Sequence, residues 1–181
     1  MRVELRAHPD TPGDAVSSIW VEIARADAAI LSLRYRLTGA IARLAIPPIA
    51  PPARADELWR RTCFEAFLRP EPGEAYVEFN FAPCTQWAAY RFTGYREGMA
   101  PAQIAAPRIE VAQTDSTFEL ALQLNLAALA LPPSPCRLAL SAVIEAASGA
   151  KSYWALAHPP GRPDFHHRSS FACALPTEEA S

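Results

Sequence analysis

Leu31-Ser32-Leu33-Arg34-Tyr35-Arg36-Leu37 alternates apolar and polar side chains without a break and stops at Thr38-Gly39. Successive side chains of an extended chain point to opposite faces, so this period of two marks a strand with one buried face, ended by a turn. The same alternation recurs on both sides of it. Val3 and Leu5 oppose Arg2, Glu4 and Arg6, while Phe118, Leu120, Leu122 and Leu124 share one face after the turn-forming Thr114-Asp115-Ser116. The latter pattern predicts a hairpin of 108–113 with 117–125. Further strands are expected at 17–24, 41–46, 62–68, 76–82, 87–93, 137–145, 152–157 and 170–175. About ten short strands imply an antiparallel sandwich or barrel.

The 18 prolines of the 181-residue chain fall between these segments and punctuate them. Four lie in the stretch 46–55, which reads as a stiff surface connection. Asp14 to Arg25 and Leu124 to Leu131 are rich in alanine or leucine, and a short helix is expected near 126–130. No repeat period or shift in composition divides the chain, so 1–181 reads as a single domain, with Pro176 to Ser181 expected to fray.

Composition narrows the function classes. A net charge of −2 without a Lys/Arg run lacks the footprint of a nucleic-acid binder. No stretch reaches the roughly 18 apolar residues of a membrane span. Met1-Arg2-Val3-Glu4-Leu5 places charges where a secretory signal needs an apolar run, so a cytoplasmic protein is expected. Cys63, Cys84, Cys136 and Cys173 are scattered without a Cys-x-x-Cys spacing, which predicts reduced thiols and no zinc site. Neither Gly-x-Ser-x-Gly nor a glycine-rich phosphate loop occurs.

Polar residues of unusual placement concentrate between Leu58 and Met99. If Phe64, Ala66, Leu68, Val77, Phe79, Phe81, Ala88, Tyr90 and Phe92 form the core side of a three-stranded meander, Glu65, Glu78, Asn80, Trp87 and Arg91 share the other side. Carboxylates and an arginine beside aromatic rings suit a surface that stacks on a sugar ring and hydrogen-bonds its hydroxyls. The plainer alternatives are a solvated face with Arg91 as counter-ion between Glu65 and Glu78, and a buried polar network that fixes the fold. A paired-carboxylate glycosidase is disfavoured, because Arg91 beside both groups keeps both ionised. His158, His166 and His167 form a second cluster near Trp154, in a proline-framed loop without metal-ligand spacing.

The runs 58–68 and 76–83, followed by Trp87-Ala88-Ala89-Tyr90-Arg91-Phe92, Tyr95-Arg96-Glu97-Gly98-Met99, Val143-Ile144-Glu145, Ser152-Tyr153-Trp154-Ala155-Leu156 with His158-Pro159, and Pro163-Asp164-Phe165-His166, closely resemble the motifs of stand-alone bacterial DOMON-like proteins. These motifs span 58–171; Pro83-Cys84-Thr85-Gln86 departs from the Pro-Ser-Gly of that pattern. The resemblance implies an all-β fold: a jelly-roll-like antiparallel β-sandwich of the DOMON and family-nine carbohydrate-binding-module type, with about ten strands and at most one or two short helical turns. Wider relatives bind sugars or haem.

The expectation is therefore a non-catalytic domain that binds a carbohydrate-like small molecule through Glu65, Glu78, Asn80, Trp87, Arg91, Trp154 and His158. It needs no cofactor. The alternatives are a haem b or electron-transfer domain, with Met99 and either His158 or His166 as axial ligands, and a protein-interaction module or homodimer using a sheet edge.

Overall fold

Leu31, Leu33, Tyr35 and Leu37 are buried in β3, with Arg34 and Arg36 turned to water, so the period-two stretch is a half-buried strand as its sequence predicts. The structure is a computed structural model that describes residues 1–132 and 134–175; the frayed end expected at Pro176 to Ser181 lies outside them. In chain order the strands are β1 (Arg2–Ala7), β2 (Val16–Arg25), β3 (Ile30–Gly39), β4 (Cys63–Pro70), β5 (Tyr76–Phe81) and β6 (Trp87–Phe92). Then come β7 (Ala100–Pro101), β8 (Arg108–Gln113), β9 (Thr117–Asn125), β10 (Cys136–Glu145), β11 (Lys151–Ala155) and β12 (Cys173–Ala174). Only single 3-10 turns accompany them among the described residues: Ile41–Arg43, Leu58–Arg60, Ala127–Leu129 and Arg168–Ser170. The fold is all-β and antiparallel, with one short strand, β7, that the sequence does not suggest and two more turns than it suggests.

The strands run in the order β7-β6-β5-β4-β10-β11-β1-β2-β3-β9-β8 and curl into two facing layers. β1 is the seam. Its residues Arg2 to Leu5 pair with β2, and Arg6 and Ala7 pair with β11, so one strand serves both layers. The first layer, β1-β2-β3-β9-β8, buries Ile19, Val21, Tyr35, Phe118 and Leu120 on its inner face. The second layer meets it through Phe64, whose ring lies 5.2 Å from Tyr35 and stacks on Phe118 at 5.7 Å. The Tyr35 hydroxyl reaches across to donate to the Glu65 carbonyl at 2.8 Å.

The second layer is buried on both faces, which is the feature that positions the site. Its inner face carries Phe64, Ala66, Leu68, Phe79, Phe81, Trp87 and Ala89, and its outer face carries Phe67, Tyr76, Ala88, Tyr90, Phe92, Ala139 and Val143. Phe165 and Phe171, from the segment after β11, cover that outer cluster.

The pairing corrects the expected sharing of faces. Phe81 pairs with Trp87, Asn80 with Ala88, Glu78 with Tyr90 and Val77 with Arg91, so Trp87 and Arg91 belong to the side opposite Glu65, Glu78 and Asn80. The register follows from the turn at Ala82 to Gln86. There the Ala82 amide donates to the Gln86 carbonyl, and Thr85 takes the left-handed conformation at φ 73. A shift of one residue in that turn exchanges the faces of the entire strand. The sequence of β6 is aromatic on both faces and does not disclose the shift.

Two expected strands are shorter than predicted. Residues 41–46 form the Ile41–Arg43 turn and a single bridge from Leu44 to Ala146, because the Leu44 amide returns to the Ile41 carbonyl and Pro47 has no amide to continue a ladder. Residues 170–175 reduce to β12, which fills the part of β10 at Arg137 and Leu138 that β11 leaves unpaired. The proline-rich connection lies along the β6 edge, where Ala53 and Ala55 hydrogen-bond to Trp87 and Arg54 stacks over its ring. The four cysteines are free and buried.

Trp87 is thus a core side chain, 6% exposed. Trp87→Ala should lower stability by about 3–5 kcal/mol in urea unfolding; a loss below about 1 kcal/mol would contradict that placement.

Candidate functional site

Glu65 on β4 and Glu78 and Asn80 on β5 stand together on the outer face of the second layer. All three are buried: Glu65 is 3% exposed, Glu78 5% and Asn80 0%. A buried polar group must find partners inside the protein, and here the partners form a chain. Asn80 donates through Nδ2 to Glu78 Oε1 at 2.7 Å and accepts from the Cys63 thiol at 3.5 Å. Ser141 of β10, paired directly with Glu65, donates its hydroxyl to Glu65 Oε2 at 3.3 Å.

Burial pushes the Glu65 carboxyl well above the usual carboxylate range, and the charge of Glu78 pushes the same way, against the Ser141 hydrogen bond and Arg96. Burial also lifts Glu78 to about 6, opposed by Asn80 and by Arg96. Both shifts favour the protonated form, and the two groups titrate together.

A wall of loops closes over these groups. Tyr76 Oη and His166 Nδ1 share a hydrogen bond of 2.8 Å, and the same phenol accepts from the Arg96 amide at 3.2 Å. Arg96 sits in the left-handed conformation at φ 57, its guanidinium 2.8 Å from Asp164 Oδ1. The Tyr95 hydroxyl donates to the other Asp164 oxygen, and Asp164 Oδ1 accepts from the His166 amide. His166 is ringed by Phe67 and Phe92, each 5.2 Å away and edge-on. Burial, and after it the Arg96 charge, hold its imidazole down to about 4 despite Asp164, so it is neutral at pH 7.

Between floor and wall lies a pocket of about 300 Å³. Glu65, Glu78 and Val143 form its sheet side, and Arg96, Met99, Phe165, His166 and Trp59 line the rest. Trp59, on the Leu58–Arg60 turn, is 38% exposed and rests edge-on against Tyr90. A larger groove of about 470 Å³ crosses the solvent face of the first layer, but its charges satisfy one another, as in the Arg108–Glu110 pair at 2.6 Å and Arg34–Glu22 at 3.8 Å.

Of the residues singled out in the sequence, Glu65 and Glu78 line the pocket and Asn80 holds Glu78 from below. The others lie elsewhere. Trp87 and Trp154 are packed in the inter-layer core, where Trp154 donates to Ser152 at 3.0 Å, and Arg91 is exposed on the far side of β6. His158 bonds to the Arg6 carbonyl at 2.8 Å and packs edge-on against the buried His8. With Arg91 on the opposite face, it cannot be the counter-ion that keeps Glu65 and Glu78 ionised; Arg96 stands nearest that role.

Met99 and His166 do meet at this pocket, but His166 commits Nδ1 to Tyr76 and faces Glu78 at 3.8 Å through Nε2. His158 has its Nε2 engaged and its Nδ1 buried. Met99 and His166 line one pocket, whereas His158 does not line it and its Nδ1 is buried without a hydrogen-bond partner. Trp59, Arg96 and Phe165 lie in runs that carry the family resemblance, but their position in turns and loops has no periodic signal, and the fold is what brings them to the site.

Glu78→Gln isolates the charge buried here. A carboxyl raised from 4.5 to about 6 favours the folded state below about 4.5, and that contribution is lost as pH rises through 6. His166, lowered from 6.5 to about 4, acts in the opposite sense: its contribution is whole above 6.5 and is lost as pH falls toward 4. The variant should therefore be more stable than the native protein at about pH 7.5, by about 1–2 kcal/mol, with the difference fading toward pH 4.5. Urea unfolding at several pH values measures it, and equal stability at pH 7.5 would show that no ionised Glu78 is buried.

No protein-family model matches the chain, and no curated protein does. Among solved structures, it is similar to a protein of Bacteroides uniformis to which carbohydrate binding is ascribed, with a TM-score of 0.69 and 15% identity over 93% of this chain and 83% of the other. It is also similar to a family-nine carbohydrate-binding module of Caldicellulosiruptor kristjanssonii in complex with glucose, with a TM-score of 0.49 and 7% identity over 80% of this chain and 69% of the other. The first likeness shows that the two chains share a fold.

Proposed function

We propose that the protein is a non-catalytic, DOMON-like binding domain that holds a small saccharide in the pocket over Glu65 and Glu78. The observation that carries this reading is the composition of that pocket: two carboxyl groups and a guanidinium beside the rings of Trp59 and Phe165. A sugar presents hydroxyls, which need donors and acceptors in fixed positions, and C–H faces, which rest on aromatic rings. A carboxyl group accepts through its oxygens and, when protonated, also donates, and burial favours that protonated form at both groups. The carbohydrate binding ascribed to the Bacteroides uniformis protein of the same fold supports the reading.

The carboxyl groups serve here to orient a ligand. Glu65 is enclosed by β4, β5 and β10, and Glu78 is fixed through Oε1 by Asn80, so both are held as hydrogen-bonding groups of a rigid floor.

Thermal melting against mono- and oligosaccharides tests the proposal. A ligand at about 100 times its Kd adds about 2.7 kcal/mol, which raises the midpoint of a chain this size by roughly 5–11 °C. Trp59→Ala, at an exposed turn, should remove most of that shift while leaving the unliganded melt within a few degrees. Absence of a shift with every sugar, or an undiminished shift in Trp59→Ala, would count against the pocket.

A further inference from the structure

A second pocket, of about 280 Å³, shares His166 with the first. Its walls are aromatic, from Tyr76, Tyr95 and Phe171, and its charged groups are Arg69, Arg168 and Glu74. Arg69 comes from the end of β4 and Arg168 from the turn Arg168–Ser170, so separate elements bring two guanidinium groups to one concavity. Arg69 is held in place by Phe171, with its guanidinium carbon 4.6 Å from the ring centroid. Its Nε is buried without a hydrogen-bond partner.

Several other arginines find carboxylates: Arg34 and Arg36 meet Glu119, Arg60 meets Glu57 and Arg96 meets Asp164. Among the described residues, neither Arg69 nor Arg168 has a carboxylate within ion-pair distance, although Glu74 lines the same pocket. Two cations against apolar walls, with water partly excluded, attract an anion more strongly than they would in open solvent. The planar guanidinium matches the oxygen pair of a carboxylate or phosphate. Tyr95 and neutral His166 lie at the same rim and add no negative charge to oppose it.

We propose that this second pocket is an anion subsite of the saccharide site, and that the ligand is an acidic sugar whose carboxylate or phosphate is taken by Arg69 and Arg168. The assignment rests on the saccharide reading of the first pocket and narrows it to a ligand class. His166 lines both pockets, and the inferred ligand spans it, with its ring over Glu65 and Glu78 and its charged substituent toward the arginines.

Calorimetric titration with glucose, glucuronate, glucose 6-phosphate and inorganic phosphate tests it on the native protein and on Arg69→Gln, Arg168→Gln and Trp59→Ala. At least one acidic sugar should bind about tenfold or more tightly than glucose, as a charge-assisted hydrogen bond implies. Whether glucuronate or glucose 6-phosphate shows the gain separates a carboxylate ligand from a phosphate one. Each arginine variant should narrow the gap without altering glucose affinity, and added salt should narrow it too. Arg168→Gln lies on an exposed turn and keeps the test valid if loss of the Arg69–Phe171 stack impairs folding.

Equal affinity for acidic and neutral sugars, or a gap that survives both arginine substitutions, would overturn the subsite and leave the saccharide reading intact. Binding of phosphate that depends on both arginines, with no sugar bound, would keep the anion pocket but overturn its coupling to a sugar. Failure of all four probes to bind would overturn both.

Discussion

The outer face of the second layer is organised by the cost of hiding carboxyl groups from water. An ionised carboxylate isolated inside a protein costs several kcal/mol, so such a group either keeps a proton or acquires partners. Burial favours the protonated form of Glu65, and Glu78 acquires Asn80 and the field of Arg96. The loops above, when closed, complete the burial that makes either solution necessary. The Tyr76–His166 hydrogen bond, and the bonds that Asp164 makes with Tyr95, Arg96 and the His166 amide, are the fastenings that keep them so.

This closure explains the two hydrophobic clusters. A sandwich needs only the face between its layers to be apolar, and the first layer behaves in that way, with Trp20, Glu22, Arg34 and Arg36 on its outer side. The second layer carries a further aromatic cluster, Phe67, Tyr76, Tyr90 and Phe92, beneath a lid that includes Phe165 and Phe171. A buried polar floor inside an apolar surround strengthens each hydrogen bond that a ligand makes there, because the local dielectric is low. The same surround excludes a solvated sheet face, one of the plain alternatives that the sequence leaves open.

What could be read in the sequence followed from how many faces each strand buries. β3 and β9 bury one face each, so their alternation disclosed both their extent and their inner side, and the hairpin 108–113 with 117–125 is present as β8 and β9. β4, β5 and β6 bury both, so polarity no longer marks the outside, and assigning faces by residue type placed Trp87 and Arg91 beside the carboxyl groups. Glu65 and Glu78 could be singled out because a carboxylate in an apolar strand is itself anomalous. Trp59, Arg96, Arg69 and Arg168 could not, for they reach their pockets through turns and loop closures that depend on contacts far along the chain.

Those distant contacts also bear on how quickly the molecule can assemble. β1 pairs with β11 across nearly the whole chain, Ala7 meeting Trp154, and β4 pairs with β10, Glu65 meeting Ser141. Each of these ladders requires a long loop to close before its first hydrogen bond is made, an entropic cost that grows slowly with loop length. Chains dominated by such pairings reach the native state in milliseconds to seconds rather than microseconds. Until β1 joins its two neighbours, the edges of β2 and β11 stay open to strands of other molecules, so the seam that unites the finished sandwich is also its chief exposure to aggregation during folding.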